Sequence, residues 1–504
     1  MRGMIRISLL TVAAVIGALI PTQAASPEWI TLSGGKLVYG ADTQGNRVPD
    51  FSQVGYRAGE AAPPQMPVAT TVSAGTGGDD TARIQQALDK VAATGKPGAV
   101  LLAAGTYHLA GTVRIAASGV VLRGAGTTTN LVGTGAAHTL VELGGTGSRS
   151  QIGTAQAVTD SYVPVGARIL HVADGSGFHA GDHVIVQRPQ EKNWIHTIGM
   201  DAIPPRPDGT PSTQWTPNTG LLADRTITVV SGNTLTVDVP LTNALESQYT
   251  HATVWRYGFA GRITGAGVEH LAGNGAAFEQ DPKWHDGGYF ASALVGVGAA
   301  QDSWVRDVTA TRFGSAFGVG ENALRVSVLD TAALDVSVPQ DISAQPVEYT
   351  ISGQQTLIDG CRSTGSNFHA WATQARVPGP NVVVHCSATN TGSRKLDAGP
   401  HQRWATGTLY DSVSLSGNGY LELQDRQWMG SGQGWAGANS VLWNCAVGTA
   451  HVENPPTAHN WAFGCTGKVD PPTAGHQQGE IVSPGTHLVP ASLYEQQLAE
   501  RLHP

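Results

Sequence analysis

The chain has 504 residues, with 64 glycines, 28 prolines and only 13% charged residues. That is too long for one small globular core, yet no charge run or low-complexity linker divides it, so an architecture that grows by stacking repeats fits better than several unrelated domains. A net charge of −8 argues against nucleic acid as a partner.

The N-terminus reads as a targeting segment. Arg2 and Arg6 precede a mostly apolar run over 7–20, and Thr22-Gln23-Ala24 places small residues where a signal peptidase reads them. Cleavage is expected after Ala24, giving a secreted or periplasmic protein. The run is short against the ~20 residues of a membrane span. No second run of that kind follows, so no span is expected once 1–24 is removed.

Residues 25–75 read as an irregular arm rich in turn formers. Asp42, Asn46 and Asp50 are spaced a little like calcium ligands but lack the tight alternation of a calcium loop. They are expected to be turn residues, and the sequence offers no clear metal site; calcium is the one cofactor it leaves open. Over 76–165, Asp79 or Asp80 can accept the free N–H groups of a helix start. Ile84, Ala87, Leu88 and Val91 then form one apolar stripe, which Lys96-Pro97-Gly98 ends. Short β-rich runs follow at 99–103, 107–109, 112–115 and 120–123. A helix feeding such runs suggests a cap on the open end of a β stack, whose bare edge would otherwise recruit strands.

Three pieces of this stretch, Asp79-Asp80-Thr81, Gly105-Thr106-Tyr107 and Val120-Val121-Leu122-Arg123-Gly124-Ala125-Gly126, resemble the opening of the pectate-lyase-like superfamily. The proline usual before the Gly-x-Tyr turn is Ala103 or Ala104 here. The resemblance implies an all-β, right-handed parallel β-helix of the secreted bacterial kind. It does not choose among lyases, hydrolases, epimerases and depolymerases.

Residues 166–255 read as a β-rich insertion, with strands at 169–172, 184–188, 226–230 and 234–239 and a hairpin turn at Ser231-Gly232-Asn233. The main stack is expected over 256–470. Seven runs align there, with last positions 308, 330, 361, 386, 413, 445 and 465 and intervals of 22, 31, 25, 27, 32 and 20. One strand in register with variable returns is the mark of a β-solenoid. The four cysteines, Cys361, Cys386, Cys445 and Cys465, all fall on that aligned position. They are expected to form a buried ladder; the sharper alternative is disulfides 361–386 and 445–465, although stacked strands hold such pairs in poor geometry. Their spacing is not a zinc pattern. The tail, 471–504, ends in a short amphipathic helix built on Leu493, Gln497, Leu498, Arg501 and Leu502.

Chemistry is expected between 362 and 426. That stretch holds six cations (Arg362, Arg376, Arg394, Lys395, Arg403, Arg426), four acids (Asp397, Asp411, Glu422, Asp425) and three histidines (His369, His385, His401). Six of the twelve tryptophans lie between 371 and 461, of which Trp443 and Trp461 sit in strand runs and are expected to pack. Indole faces and guanidinium forks suit a sugar-acid polymer, so an extracellular polysaccharide is the expected partner. Two segments stand out: 399–407, with His401, Arg403 and Trp404, and 425–437, with Asp425, Arg426, Trp428 and a glycine-rich run to Trp435.

Polysaccharide β-elimination would use Arg403, Arg376 or Arg426 to neutralise a uronate and His401 to take the proton beside it. Trp404, Trp435, Trp428, His369, Asp425 and Glu422 would then line the substrate. Hydrolysis would need two carboxyl groups, drawn from Glu422, Asp425 and Asp397; the odd offset of the first two puts them on opposite faces of an unbroken strand. A non-catalytic glycan-binding protein would use the same aromatic and cationic groups for binding alone.

Overall fold

The computed structural model describes residues 28–276, 278, 292–337, 345–366, 368–392 and 395–504; residues 1–24, expected from the sequence to be a targeting segment, and Arg394 lie outside them. Over 98–143 and again from 263 onward the chain winds in successive coils whose strands stack into three parallel ladders. The first ladder stacks Val305, Val328, Ile358, Val383, Tyr410, Leu442 and Ala462 in register. The second stacks Ala332, Arg362, Ser387 and Ser414. The third stacks Val141, Val295, Phe317, Tyr349 and Trp371. The chain is a right-handed parallel β-helix.

Alternation along each strand sends every second side chain inward. The inward rows merge into one core that runs from Val100 and Leu122 through Trp371 and Tyr410 to Ala462. From Val305 onward each coil turns from the first ladder to the second through a single residue with left-handed backbone: Asp307, Asp330, Gly360, His385, Ser412, Asn444 and Gly464, with φ between 49° and 65°. Glycine, asparagine and aspartate tolerate that conformation best. This corrects one expected register. The alignment ending at 330 would place Leu329 at the bend, where a leucine is strained; the coil instead slips by one, and Thr331 joins the ladder position of Val308 and Cys361, with Thr331 Oγ1 3.1 Å from Cys361 Sγ.

All four cysteines are buried free thiols. The Cys361 N–H donates to Cys386 Sγ at 3.3 Å, so neighbouring coils touch through sulfur without a covalent link. Native protein is expected to resist a thiol reagent, because buried thiols are inert, and to take up four labels per chain in denaturant. Labelling of two or fewer thiols in denaturant without reductant would reveal disulfides.

The arm wraps the outer face of the first ladder. Its hairpin, Ile30–Ser33 against Lys36–Tyr39, is followed by Val48, Phe51 and Val54, which are buried against Val382, Leu409, Trp443 and Trp461. Trp443 and Trp461 are therefore packing residues, as their strand positions implied. Asp42 and Asn46 close a turn: the Asp42 carboxylate accepts the N–H groups of Gln44 and Asn46 at 2.8 and 2.9 Å. Asp50 pairs with Arg168 at 2.6 Å, so these oxygens are already spent on donors.

At the N-terminal end, helix Thr81–Ala92 buries Ile84, Leu88 and Val91 over the first coils. Asp79 receives the Thr81 N–H at 3.0 Å, while Asp80 receives the His108 N–H and ties the helix to the stack. At the other end, helix Leu493–Leu502 starts at Ser492, which caps the Glu495 N–H, and docks on Asp411 through Ser492 Oγ at 2.7 Å and the Tyr494 N–H at 2.8 Å.

Residues 150–258 contain a six-stranded antiparallel sheet. The insertion packs at the corner between the third and first ladders, where the Arg225 guanidinium holds the Gly379 carbonyl at 2.8 Å. With the first ladder covered by the arm and that corner by the insertion, the outer face of the third ladder is left facing solvent.

Candidate functional site

The outward row of the third ladder runs Glu142, Gly296, Gly318, Thr350 and Ala372 in register from coil to coil. Its first four members floor a groove of about 420 Å³ walled by Arg114, Thr139, Thr146 and Ser352. Gly318 has neither a positive φ nor any atom within 4 Å of an added Cβ. Neither backbone nor packing demands glycine there; what its absence of side chain preserves is a bare floor.

Further along the same face the floor becomes polar. Glu422 pairs in register with His451, and His451 with Asp470. Lys395 bridges two carboxylates, bonding Glu422 Oε1 and lying 3.6 Å from Asp397 Oδ2. The Glu422 carboxylate also meets Arg426 at 3.6 Å, and Asp397 bonds His369. Burial works against the Asp397 charge, but His369, Arg426 and Lys395 outweigh it and hold the carboxyl well below the usual range.

His401 joins this network from the next turn. Its ring stands edge-on to His369 at 4.9 Å. Arg426 Nε donates to Gln433 Oε1 at 2.7 Å, which fixes the Gln433 amide so that its Nε2 donates to His401 Nε2 at 2.8 Å. His401 is thus neutral with its proton on Nδ1, which is buried without a partner. Burial, together with His369 and Arg426, pushes the imidazole down to about 3. The lone pair expected to take a proton is occupied.

Arg376 and Arg403 sit on successive coils, linked by the Arg376 N–H on the Arg403 carbonyl at 2.9 Å. Each has left-handed backbone, φ 57° and 52°. Among the described residues neither meets a carboxylate: Arg403 Nη2 reaches only Ser431 Oγ at 3.5 Å, and its Nε is buried without a partner. Burial, then the Arg403 charge, push the Arg376 guanidinium below its usual value. Gln402 Nε2 donates to Gln374 Oε1 at 3.2 Å beside them.

The loop over 425–435 divides this cationic strip from a second concavity. That cleft, about 360 Å³, lies between helix Lys192–Thr197 of the insertion and the stack, and Asp425, Gln427, Trp435, His196 and His476 line it. Burial pushes the Asp425 carboxyl up. Beneath it, Glu453 is fully buried and collects four donors: His451 Nε2 at 3.0 Å, the Thr473 N–H at 2.6 Å, the Asp425 N–H at 2.9 Å and His476 Nδ1 at 3.1 Å. Burial opposes its charge, but these bonds prevail and hold the carboxyl down to about 2.

The expected site residues therefore part company. Arg426, Glu422, His369 and His401 share one network, Arg376 and Arg403 form the strip beside it, and Asp425 lines the cleft. Trp404 is a correction: it is fully buried, edge-on to Trp194 at 5.0 Å with its N–H on Asn243, and offers no face to a ligand. Trp435 is also largely buried in that cluster, reaching only the cleft wall; Trp428 is half-buried on the loop. Arg362 is exposed at the start of a second-ladder strand, and His385 pairs with Asp359 at 3.2 Å, so the six cations do not make one surface. Sequence reasoning missed His451, Glu453 and His476. The alternation His451-Val452-Glu453 was a usable sign of two polar groups on one outward face; His476, in a turn of the tail, carried none.

No family model and no curated protein matches this chain. Solved structures do. The tailspike protein gp49 of Pseudomonas phage LKA1 is similar at 15% identity and a TM-score of 0.41, over 81% of this chain and 70% of that one. The tailspike of E. coli bacteriophage HK620, solved in complex with a pentasaccharide, gives 9% and 0.42, over 82% and 64%. The Gp54 tailspike of Acinetobacter baumannii bacteriophage AP22, in complex with A. baumannii capsular saccharide, gives 11% and 0.31, over 80% and 63%. Tailspikes of this kind are right-handed parallel β-helix proteins, the fold class of this chain.

Proposed function

We propose that the protein is an exported, pectate-lyase-like enzyme that binds an anionic, uronate-containing polysaccharide along the outer face of the third ladder and cleaves it by β-elimination. The observation that carries this reading is the arginine pair. Two partly buried guanidinium groups, stacked on adjacent coils without a counter-charge among the described residues, repel one another. A carboxylate-bearing ligand would relieve that repulsion and satisfy the free Arg403 Nε. The acids nearby, Asp397, Glu422 and Glu453, already hold cations or N–H donors, so the charge left over is positive. The bare floor at Gly296 and Gly318 leaves room for a linear chain to continue along the stack.

The test is incubation of the mature protein with a panel of anionic polysaccharides. A rise in the ultraviolet absorbance of unsaturated uronates is the expected result; reducing ends without absorbance would mean hydrolysis, and binding without product a glycan-binding protein. Charge-assisted guanidinium–carboxylate bonds contribute ~1.5–3 kcal/mol each, so Arg376→Ala and Arg403→Ala should each weaken binding roughly 10–100-fold. Unchanged affinity in both variants would overturn the assignment.

A further inference from the structure

We infer that the polymer is an acidic heteropolysaccharide, in which the uronate gripped by Arg376 and Arg403 is flanked by uncharged sugar units lying in the groove floored by Gly296 and Gly318. This rests on the reading above of a uronate at the arginine pair and deepens it by naming the class of chain that carries that uronate.

The groove and the arginine pair are joined rung by rung. Thr373 pairs in register with Ile351, which brings Gln374 beside Ser352 of the groove wall. Gln402 of the next coil donates to Gln374 at 3.2 Å. Arg376 and Arg403 follow these two amides in the sequence, on the same two coils. In the other direction, Glu142 at the far end of the groove lies four rungs from Ala372 on the coil of Arg376. At the usual strand separation that is ~19 Å, so a ligand reaching from the arginines to the end of the groove spans several sugar rings.

Charge is unevenly spread over that length. Among the described residues lining the groove only Arg114 and Glu142 are charged, and they bond each other. Its remaining side-chain polar groups are the hydroxyls of Thr139, Thr146, Thr350 and Ser352, and the Gln374 and Gln402 amides come next. Hydroxyls and amides both donate and accept. They match sugar hydroxyls and give a carboxylate no counter-charge. A homopolymer of uronates would lay further carboxylates over this uncharged stretch and bring one toward Glu142. Taking an ionised carboxylate out of water without a cation costs more than neutral hydrogen bonds return. Arg376 and Arg403, one rung or ~4.8 Å apart along the stack, can share one carboxylate, so a single uronate satisfies the pair. The floor offers a direct probe. Gly298 and Gly318 have no positive φ, and neither has an atom within 4 Å of an added Cβ, so a side chain at either position stands in the path of the chain without straining the fold.

The experiment measures affinity and unsaturated product for two classes of polymer. Polygalacturonate and alginate consist of uronates throughout; gellan, hyaluronan and a set of bacterial exopolysaccharides carry uronates separated by neutral sugars. At least one heteropolymer should bind roughly tenfold or more tightly than either homopolymer. Gly318→Gln raises the floor without charge and should weaken that binding roughly tenfold or more. Gly318→Arg adds a cation at similar bulk, so it should bind polygalacturonate roughly 10–100-fold more tightly than Gly318→Gln does. Should the thermal midpoint show either variant unfolded, Gly298→Gln and Gly298→Arg repeat the comparison one coil away. Homopolyuronates bound or cleaved as well as any heteropolymer overturn this inference and leave the elimination reading standing, as do folded Gly318→Gln and Gly298→Gln proteins with wild-type affinity. Heteropolymer binding that depends on Gly318 but yields no unsaturated product overturns elimination and supports the chain class. Binding to none of these polymers overturns both.

Discussion

Glu453→Ala is expected to cost roughly 3–5 kcal/mol of folding free energy, the range for removing one partner from a buried charged network. Folded domains hold only about 5–15 kcal/mol in reserve, so a large fall in urea midpoint should follow. The carboxylate has no exposure to solvent, and its four donors come from three separated parts of the chain: His451 in a third-ladder strand, Asp425 at the loop beside the cleft, and Thr473 and His476 in the tail. Truncation leaves all four facing a cavity, each an unsatisfied polar group. Glu453→Gln should fall between wild type and alanine, because its carbonyl can keep some donors while its amide opposes another. The tail turn is pinned to the stack here, so limited proteolysis should open first around 470–480 in the alanine variant. A midpoint within 1 kcal/mol of wild type would show that the tail holds by its apolar contacts instead.

The fold was legible because β-solenoids write their geometry locally. A strand of alternating burial, a left-handed residue and a second strand recur at each coil, and the bend leaves Gly360, Asn444 and Gly464 as visible marks. The one misplaced coil came from matching apolar runs while ignoring that mark: Asp330, not Leu329, fits a left-handed bend. The cysteine ladder was readable for the same reason, since one aligned position is one stack of inward side chains.

The site was less legible, because its parts meet only through tertiary packing. Trp404 looked like a sugar platform in a turn rich in polar residues. What buries it is the insertion, whose Trp194 and Asn243 are 210 and 161 positions away and share no periodicity with the coils. His401 looked like a base because an imidazole titrates near neutral pH; Gln433 and Arg426 seal it. His476 reaches the cleft only because the tail folds back onto Glu453. Arg376 and Arg403 were singled out as guanidinium forks suited to a sugar acid, not from the repeat; the coils set them one rung apart, joined by the Arg376 N–H on the Arg403 carbonyl.

Mild acid is expected to expose the state of His401, and the effect should be separable from that of its neighbours. The folded chain holds the imidazole down to about 3, whereas an unfolded chain protonates it near 6.5. Between those values the unfolded state binds the extra proton. The stability that the neutral ring supplies is therefore complete above pH ~6.5 and is lost progressively as the pH falls toward 3. At about 1.4 kcal/mol per unit, the loss reaches about 2–3 kcal/mol by pH 4.5. Other buried carboxyls, Asp411 and Glu453 among them, complicate the raw curve. Asp411 is pushed up to about 6 by burial; the folded chain keeps its proton, so this group adds stability as the pH falls from 6 toward 3.8 and opposes His401. Glu453, held down to about 2, loses its contribution only below about 4.5. The difference between wild type and His401→Gln removes both, since an amide at 401 can still accept from Gln433 but does not titrate. Urea unfolding at pH 7 and pH 4.5 should show that difference shifting by about 2–3 kcal/mol in favour of the variant at the lower pH. A difference that stays constant between the two would mean that His401 is protonated alike in both states, and that the seal formed by Gln433 and Arg426 opens in solution.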